Sequence, residues 1–356
     1  MRSLGMLLVL LVACGDDSGA GADGGGGSGA ATSNGGQNSG AGSSTGGAGA
    51  GSSNGGSANG GSSNGGSASG GSAAGGASGC IDDTSATERR VVNCGPLSYD
   101  VAIPEACPAE GCGLIFDVHG LTMSGEMQEA NTGLAQRGRE AGYVVVQPNA
   151  TPAPPAAAWA AAEDDDDVFA FLEEAIAGYS IDPKRVHFTG FSQGGDMTWR
   201  MLCNHSEVFA SVAPAAFGLS QDEQCFRTGT APSATVPILF MHGQFDSLVP
   251  FAQALAARDA VIGVLDLSLV GEVDFLGGAP PPGGPKRTRF SGEGNALLEF
   301  VEHGYGGVST LGGHCYPGSE DPGTAQGQLF TFKCNPPNAF NWGAEVLAFF
   351  QAHPKP

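Results

Sequence analysis

The sequence is poor in basic residues and lacks the motifs of several common metal sites. Lys and Arg number 15 against 36 Asp and Glu, which gives a formal net charge of −21. Nucleic-acid binding requires a basic face, and electrostatic docking to anionic membranes requires clustered Lys and Arg, so the composition argues against both. Because no Cys-x-x-Cys or His-Glu-x-x-His motif occurs, we expect neither a metal ion nor an organic cofactor.

The apolar run at the N-terminus, Gly5–Ala13, is too short to span a bilayer as a helix, which takes about 20 residues. It follows Met1-Arg2-Ser3 and has the layout of an export signal. Leu11-Val12-Ala13-Cys14 resembles a bacterial lipobox, so we predict a signal peptide over residues 1–14 and acylation of Cys14. The alternative is an ordinary cleaved signal with an incidental cysteine. The first interpretation predicts a lipoprotein at the cell surface or outside the cell, which contacts the membrane only through its anchor.

Residues 15–79 consist almost entirely of Gly, Ser, Ala and Asn. Such a segment has no apolar surface to bury and cannot offset the entropy of ordering. We predict a flexible tether, with a root-mean-square reach of roughly 45 Å. Residues 80–356 are then left for one large α/β domain, a class that can reach about 250 residues without splitting.

Eight of the nine cysteines lie in the region from residue 80 onward. An even number behind an export signal indicates disulfides formed in an oxidising compartment. Spacing suggests that neighbours along the chain pair, and the alternative is a set of buried free thiols. The suggested pairs are Cys80–Cys94, Cys107–Cys112, Cys203–Cys225 and Cys315–Cys334.

Short apolar runs alternate with helical patterns along this domain. Near-continuous apolar runs are typical of strands covered on both faces, and their alternation with helices predicts a doubly wound, mostly parallel sheet with helices on both faces. In such sheets, functional residues lie in loops at the carboxyl ends of strands. The predicted strands are Leu114–Val118, Tyr143–Gln147, Val186–Thr189, Ile238–Met241 and Leu297–Val301. The predicted helices are Gly125–Ala141, Asp165–Gly178, Gly194–Cys203, Phe251–Ile262 and Ala344–Ala352.

Three other segments have weaker signals. The acidic run Asp164–Asp167 is interpreted as the first turn of a helix, where carboxylates complement the helix dipole; a calcium site is the alternative. Ile181–Lys184 is interpreted as a turn that feeds the following strand. Gly263–Gly294 is irregular and rich in proline, and we interpret it as a long surface insertion.

Gly190-Phe191-Ser192-Gln193-Gly194 fits the pattern G-x-S-x-G. It follows a predicted strand and precedes a predicted helix, which is the context of a nucleophile elbow. The small residues permit a tight turn that lifts the hydroxyl of Ser192 above the sheet. We therefore predict Ser192 as a nucleophile, the alternative being an idle serine in a glycine-rich turn.

A serine hydroxyl needs a base, the base needs an orienting acid, and the chain order in this context is Ser, acid, His. His314 lies in the turn-rich loop Gly312–Gly318, where an imidazole can reach across the sheet, so we predict it as the base. His303 is the alternative base. The remaining histidines after Ser192 are not predicted to act as the base. They are His205, His242 and His353.

The acid should follow the strand Ile238–Met241, and Asp246 does so. Asp222 and Asp266 are weaker alternatives because neither directly follows a clear strand. Asp246 could also open the next helix through an Asx turn.

A developing oxyanion requires preorganised N–H donors. One is predicted at Gln193, directly after Ser192. The second should come from the loop after Leu114–Val118, and we predict Leu121 N–H, or Thr122 N–H if the loop is shifted. His119 in the same loop is interpreted as shaping the loop.

Four motifs follow one another along the chain, DVHGL at 117–121, GFSQGG at 190–195, HGQFD at 242–246 and GGHCYPG at 312–318, and the resemblance that they carry covers essentially Arg89 to Pro317. In this order they resemble the polyhydroxybutyrate depolymerase and feruloyl esterase group of secreted esterases. The resemblance implies an α/β-hydrolase fold with Ser192, Asp246 and His314 as a catalytic triad. It also supports the Cys203–Cys225 bridge.

The sequence departs from that family at two points. Cys315 follows the histidine where the family often has Thr, and a bond to Cys334 would tie down the histidine loop. We expect no separate substrate-binding module after Trp342, and this expectation favours soluble or plant-polymer esters over solid polyester. The hypothesis is therefore a monomeric serine esterase that acts on feruloyl or acetyl esters of xylan through an acyl-enzyme. The alternatives are a polyhydroxybutyrate depolymerase, a peptidase on the same fold, and a noncatalytic binding lipoprotein.

Overall fold

The computed structural model of the protein describes residues 79–220, 225–277, 284–308 and 310–356. The predicted signal peptide, Cys14 and the predicted tether up to residue 78 lie outside the described residues, and so does the alternative acid Asp222. Within the described ranges, no helix is both long enough and apolar enough to cross a bilayer.

One mixed β-sheet organises the domain. In chain order its strands are β1 (Thr87–Cys94), β2 (Leu97–Ile103), β3 (Cys112–Val118), β4 (Tyr143–Asn149), β5 (Ile181–Phe191), β6 (Ser211–Ala215), β7 (Ile238–Gly243), β8 (Ser268–Leu269), β9 (Asp274–Phe275), β10 (Lys286–Ser291) and β11 (Leu297–His303). Across the sheet they lie in the order β1-β2-β4-β3-β5-β6-β7-β11-β10-β8, and β9 also pairs with β10. Neighbouring strands from β4 to β11 in this order are parallel. The outer strands at both edges are antiparallel.

Helices cover both faces of this sheet and enclose two hydrophobic cores. Leu114 and Phe116 of β3 face one core, and Ile115 between them faces the other. Successive side chains of a strand point to opposite faces, so a continuous apolar run supplies both cores. The first core is completed by α3 (Glu163–Gly178), α4 (Gln193–His205) and α5 (Phe251–Val264), and the second by α1 (Gly125–Thr132), α2 (Leu134–Glu140) and α6 (Trp342–Ala352).

The predicted fold class is confirmed, and each predicted strand and helix has a counterpart. Two local predictions were wrong. The helix predicted over Gly125–Ala141 is broken at Gly133, whose φ of 60° is left-handed and ends α1. Ile181–Lys184 is not a turn but the start of β5, because Ile181 pairs with Cys112 of β3.

Several strands escaped prediction because they carry no continuous apolar run. β1 consists of exposed and partly buried residues with Val92 alone buried, and β6, with the sequence SVAPA, is fully buried but built from small residues. The segment Gly263–Gly294, expected to be irregular, contributes β8, β9 and β10 to the sheet edge. Its residues 278–283 lie outside the described part.

The acidic run does begin a helix. Glu163 is the first residue of α3, and Asp164 accepts the N–H of Ala160 at 2.5 Å. Asp165 is buried and accepts two hydrogen bonds, of 2.6 and 2.9 Å, from the guanidinium of Arg200 in α4. The run therefore joins α3 to the helix that follows Ser192.

Four disulfides link the neighbours suggested by spacing: Cys80–Cys94, Cys107–Cys112, Cys203–Cys225 and Cys315–Cys334. The Cys203–Cys225 bond ties the last turn of α4 to the segment before β7. The Cys315–Cys334 bond closes the loop that carries His314.

Candidate active site

Ser192 lies in a sharp turn between β5 and α4. β5 ends at Phe191, α4 begins at Gln193, and Ser192 itself has φ 55° and ψ −120°. A non-glycine residue at positive φ is strained and persists only where its surroundings hold it. The Ser192 N–H donates to the carbonyl of Ala215 at 2.9 Å, which fastens the turn to β6.

The glycines beside Ser192 are required by close backbone contacts. A Cβ at Gly194 would lie 2.1 Å from Val118 O, and a Cβ at Gly190 would lie 2.3 Å from Gly194 O. Both distances are far below van der Waals contact, so any side chain would push α4 away from β3. The G-x-S-x-G pattern thus allows α4 to pack tightly enough to leave Ser192 partly exposed at the carboxyl end of β5.

Asp246 and His314 form a buried hydrogen-bonded pair. Their loops follow β7 and β11 and interlock, since Asp246 bridges to Gly312 and Gly313 N–H donates to Phe245 O at 2.7 Å. His314 Nδ1 lies 2.7 Å from Asp246 Oδ2. This bond occupies Nδ1 and leaves Nε2 as the ring nitrogen that can serve a reacting group.

The other oxygen of Asp246 is held by backbone. Leu248 N–H and Val249 N–H each donate to Oδ1 at 2.8 Å. Burial would raise the pKa of Asp246, but the electrostatic interaction and the hydrogen bond with His314, assisted by His242, outweigh it, and the pKa is lowered. The carboxylate is therefore ionised and oriented through both oxygens.

Two further buried histidines, His242 and His303, lie near this pair. His242 Nε2 donates to Val249 O at 2.9 Å and lies 3.4 Å from Asp246 Oδ2. His303, the alternative base, is buried at the end of β11, and neither ring nitrogen has a hydrogen-bond partner in the described part of the chain. Burial, with the charge of His242, lowers the pKa of His303 to about 3. In the structure, Asp246 is therefore hydrogen-bonded to His314, whereas His303 has no hydrogen bond to it.

Asp266, the alternative acid, lies exposed in the turn after α5.

Aromatic contacts join the loop of His314 to the turn of Ser192. The ring of Phe191 lies 4.8 Å from the ring of His314 and stacks on Tyr316 at 3.9 Å, measured between centroids. The Tyr316 hydroxyl donates to Gln128 Oε1 at 2.5 Å. Since Phe191 directly precedes Ser192, these contacts hold the imidazole against the elbow.

The loop after β3 also lies against Ser192. A Cβ at Gly120 would lie 3.0 Å from Ser192 Cβ. Thr122, which offered the alternative donor, already donates its N–H to Ala157 O at 2.7 Å, and this leaves Leu121 as the candidate in this loop. Gln193 opens α4, where the first N–H groups of a helix have no intrahelical acceptor. Gln193 directly follows Ser192, and Leu121 directly follows Gly120, which lies against Ser192.

Trp159 was missed by sequence analysis. Its backbone N–H donates to Gln193 Oε1 at 3.2 Å, and its indole Nε1–H donates to His119 O at 2.8 Å. It lies in a Pro- and Ala-rich segment without apolar periodicity, so no pattern indicates its role. The feature that could have indicated Trp159 is a lone tryptophan in such a loop. A buried indole N–H needs an acceptor, so such a residue is expected to bond to another segment.

The described residues contain one cluster of three potential metal ligands, made of Cys80, Cys94 and Glu174. Both cysteines are joined in a disulfide, so they carry no thiolate for a metal, and the cluster includes none of Ser192, Asp246 and His314.

Two family models match overlapping parts of the chain. The first, described as BD-FAE, matches residues 99–210. The second, described as Phospholipase/Carboxylesterase, matches residues 163–273. Together they span the strands from β2 to β7 and the turn of Ser192.

Three curated relatives are esterases by name. NocK of Nocardia uniformis subsp. tsuyamanensis is 30% identical over 185 residues, which are 48% of this chain and 52% of NocK. Feruloyl esterase B of Piromyces equi is 27% identical over 153 residues, 40% of this chain and 28% of that protein. The bifunctional acetylxylan esterase/xylanase XynS20E of Neocallimastix patriciarum is 26% identical over 146 residues, 39% of this chain and 20% of that protein. The chain thus spans about half or less of each relative.

The sheet order, the turn of Ser192 and the family matches give the described domain an α/β-hydrolase fold. Within this class the chain is similar to the BD-FAE model and to feruloyl esterase B over the parts given above.

Proposed function

We propose that the protein is a serine esterase that hydrolyses carboxylic esters through an acyl-enzyme. The observation that carries the proposal is the buried hydrogen bond between Asp246 and His314, whose ring packs against the residue before Ser192. A base oriented by an ionised acid beside a serine in a strained elbow is the arrangement that activates a hydroxyl.

In the proposed cycle, Ser192 Oγ attacks the ester carbonyl while His314 Nε2 takes its proton. Asp246 stabilises the imidazolium and holds the proton on Nδ1. The N–H groups of Leu121 and Gln193 bind the oxyanion of the tetrahedral intermediate. His314 then protonates the leaving alcohol, and a water molecule hydrolyses the acyl-enzyme by the same roles in reverse.

We propose acyl esters of plant cell-wall polysaccharide as the substrate class, with feruloyl or acetyl as the acyl group. The two relatives named for feruloyl and acetylxylan ester hydrolysis support this class. We further propose that residues 80–356 form the catalytic domain of a monomeric exported protein, held at the cell surface through acylated Cys14. The four disulfides support export, since such bonds persist in oxidising compartments.

The test is a substrate panel on the protein and its Ser192→Ala variant. Methyl ferulate, acetylated xylan, hydroxybutyrate oligomers and an amide substrate separate the proposed esterase from a polyester depolymerase and a peptidase. Ser192→Ala should lower kcat by roughly 10⁴-fold or more and abolish labelling by a fluorophosphonate probe. Ser268→Ala, at an exposed position of β8, is the matched control. Turnover by Ser192→Ala at the level of this control would refute the proposal.

A further inference from the structure

The carbonyl of Gly120 belongs to the same peptide group as the N–H of Leu121. In a trans peptide the two point in opposite directions, so whatever holds this carbonyl also aims this N–H. His119 Nδ1 lies 2.7 Å from Gly120 O. The weaker partner of the same carbonyl is Met123 N–H at 3.2 Å. The side chain of His119 therefore makes the shorter bond to the peptide that would supply an oxyanion donor.

The tautomer of His119 follows from its second contact. Ala150 N–H lies 3.1 Å from His119 Nε2, and a backbone N–H can only donate, so Nε2 accepts. The ring proton is then on Nδ1, which donates to Gly120 O. Burial lowers the pKa of His119 to about 4, so the ring stays neutral near pH 7 and keeps this single arrangement.

The backbone of this loop is strained, and contacts with neighbouring residues hold it in that conformation. Thr122 has φ 67°, which is an outlier for a β-branched residue. Its N–H donates to Ala157 O at 2.7 Å. Without external bonds a turn of this kind would relax, and the Leu121 N–H would lose its direction. The holding contacts come from His119 and from the segment that contains Ala157 and Trp159.

Trp159 links the backbone of the loop after β3 to the side chain of Gln193. Its indole Nε1–H donates to His119 O, its backbone N–H donates to Gln193 Oε1, and its ring lies 4.7 Å from the His119 ring. Trp159 is 7% exposed, so these bonds are largely shielded from water. The loop after β3 and the first residue of α4 are thus connected through one residue.

We propose that His119 is a positioning residue that aims the Leu121 N–H at the oxyanion through its bond to Gly120 O, and that Trp159 supports it by coupling the neighbouring His119 carbonyl to the side chain of Gln193. The inference rests on the proposed esterase function. It assigns His119 an effect on transition-state binding, although the residue does not touch the reacting atoms.

Two substitutions separate the two nitrogens of His119. Asn places an amide N–H where Nδ1 lies and keeps the bond to Gly120 O. Gln places an amide oxygen where Nε2 lies, which keeps the acceptor for Ala150 N–H and removes the bond to Gly120 O. His119→Gln should lower kcat for p-nitrophenyl acetate by about 10- to 100-fold, somewhat less than the 10²–10³-fold loss of a whole oxyanion donor. His119→Asn should stay within a few-fold of the parent.

The accompanying readouts identify a positioning role. KM should change less than twofold in both variants, because the donor acts mainly in the transition state. Affinity for a trifluoromethyl ketone, which forms a hemiketal oxyanion with serine, should fall in parallel with kcat/KM in His119→Gln. Trp159→Phe, which removes only the indole donor, should lower kcat by about 3- to 10-fold. His353→Gln, at the C-terminal end of α6, is the histidine control.

The outcomes are distinct. Full turnover in His119→Gln, or equal losses in His119→Gln and His119→Asn, would overturn the inference while leaving the esterase proposal intact. Turnover that persists undiminished in Ser192→Ala would instead overturn the proposed function. A thermal unfolding midpoint is measured for every variant, and selective loss of kcat in a folded His119→Gln supports the inference. If His119→Gln does not fold, Trp159→Phe decides: unchanged kcat and ketone affinity would overturn it.

Discussion

Replacing Asp246 by Asn tests whether the carboxylate acts by dictating the tautomer of His314. Oδ1 of Asp246 accepts two backbone N–H groups at 2.8 Å, from Leu248 and Val249. In the variant, the amide oxygen must take that place, so the amide NH₂ is forced to face His314 Nδ1. The imidazole must then accept through Nδ1 and carry its proton on Nε2. That nitrogen can no longer take a proton from Ser192.

The magnitude follows from this geometry. Nearly every molecule of Asp246→Asn holds the unproductive tautomer, and the imidazolium also loses its counter-charge. We expect kcat to fall by about 10³- to 10⁴-fold, which corresponds to roughly 4–5.5 kcal/mol of transition-state stabilisation. The fold should survive, since the three hydrogen bonds around residue 246 are kept in number.

The assay is turnover of p-nitrophenyl acetate at saturating substrate, together with a thermal unfolding curve. Asp259→Asn is the matched control, because its side chain is 63% exposed on α5 and its loss should leave turnover unchanged. If a folded Asp246→Asn keeps more than a tenth of the parent's kcat, the tautomer argument is wrong.

Two further predictions concern stability. Arg200→Met leaves the carboxylate of Asp165 buried without its cation, so the free energy of unfolding in urea should fall by about 3–5 kcal/mol. Arg258→Met, at a more exposed ion pair, should lower it by less than about 1 kcal/mol. Equal losses in the two variants would contradict this difference. His303 has its pKa lowered to about 3 in the folded protein, while the unfolded chain protonates it near its ordinary value of about 6.5. The unfolded state therefore binds more protons in this window, and stability is lost as the pH falls from about 6.5 towards 3. His303→Leu should make the dependence of unfolding free energy on pH shallower by about 1.4 kcal/mol per pH unit between about pH 4 and 6. An unaltered slope would rule out this histidine as a source of acid sensitivity.

Much of the fold was predictable because its signals are local. The apolar runs at β3, β4 and β7 are continuous, since parallel strands covered on both faces need no polar side. The edge strands were not predictable in this way. β1 has one exposed face, and β10 is partly buried throughout and pairs its Arg side chains with acidic neighbours. Their apolar content is too low to mark a strand.

In the candidate site too, only the features that depend on local sequence were predictable. The sharp turn at Ser192 was predictable because the strand, the turn and the helix around it are contiguous in sequence. The partner of Asp246 was less certain, because His242, His303 and His314 all follow or lie in the last parallel strands of the sheet. Only the interlocking of two loops shows that His314 makes the 2.7 Å bond. The contribution of Trp159 depends on hydrogen bonds that join three separate segments, at His119, Trp159 and Gln193, and no spacing in the sequence indicates it.

The sequence by itself determined the parallel α/β core, the turn that carries Ser192 and the order of its motifs, because each depends on neighbouring residues and on backbone conformation. The tertiary structure decided which histidine bonds Asp246, which N–H of the β3 loop is already occupied, and how His119 and Trp159 hold that loop. These are pairings between distant segments, and their geometry exists only once strands from across the sheet have brought the loops together.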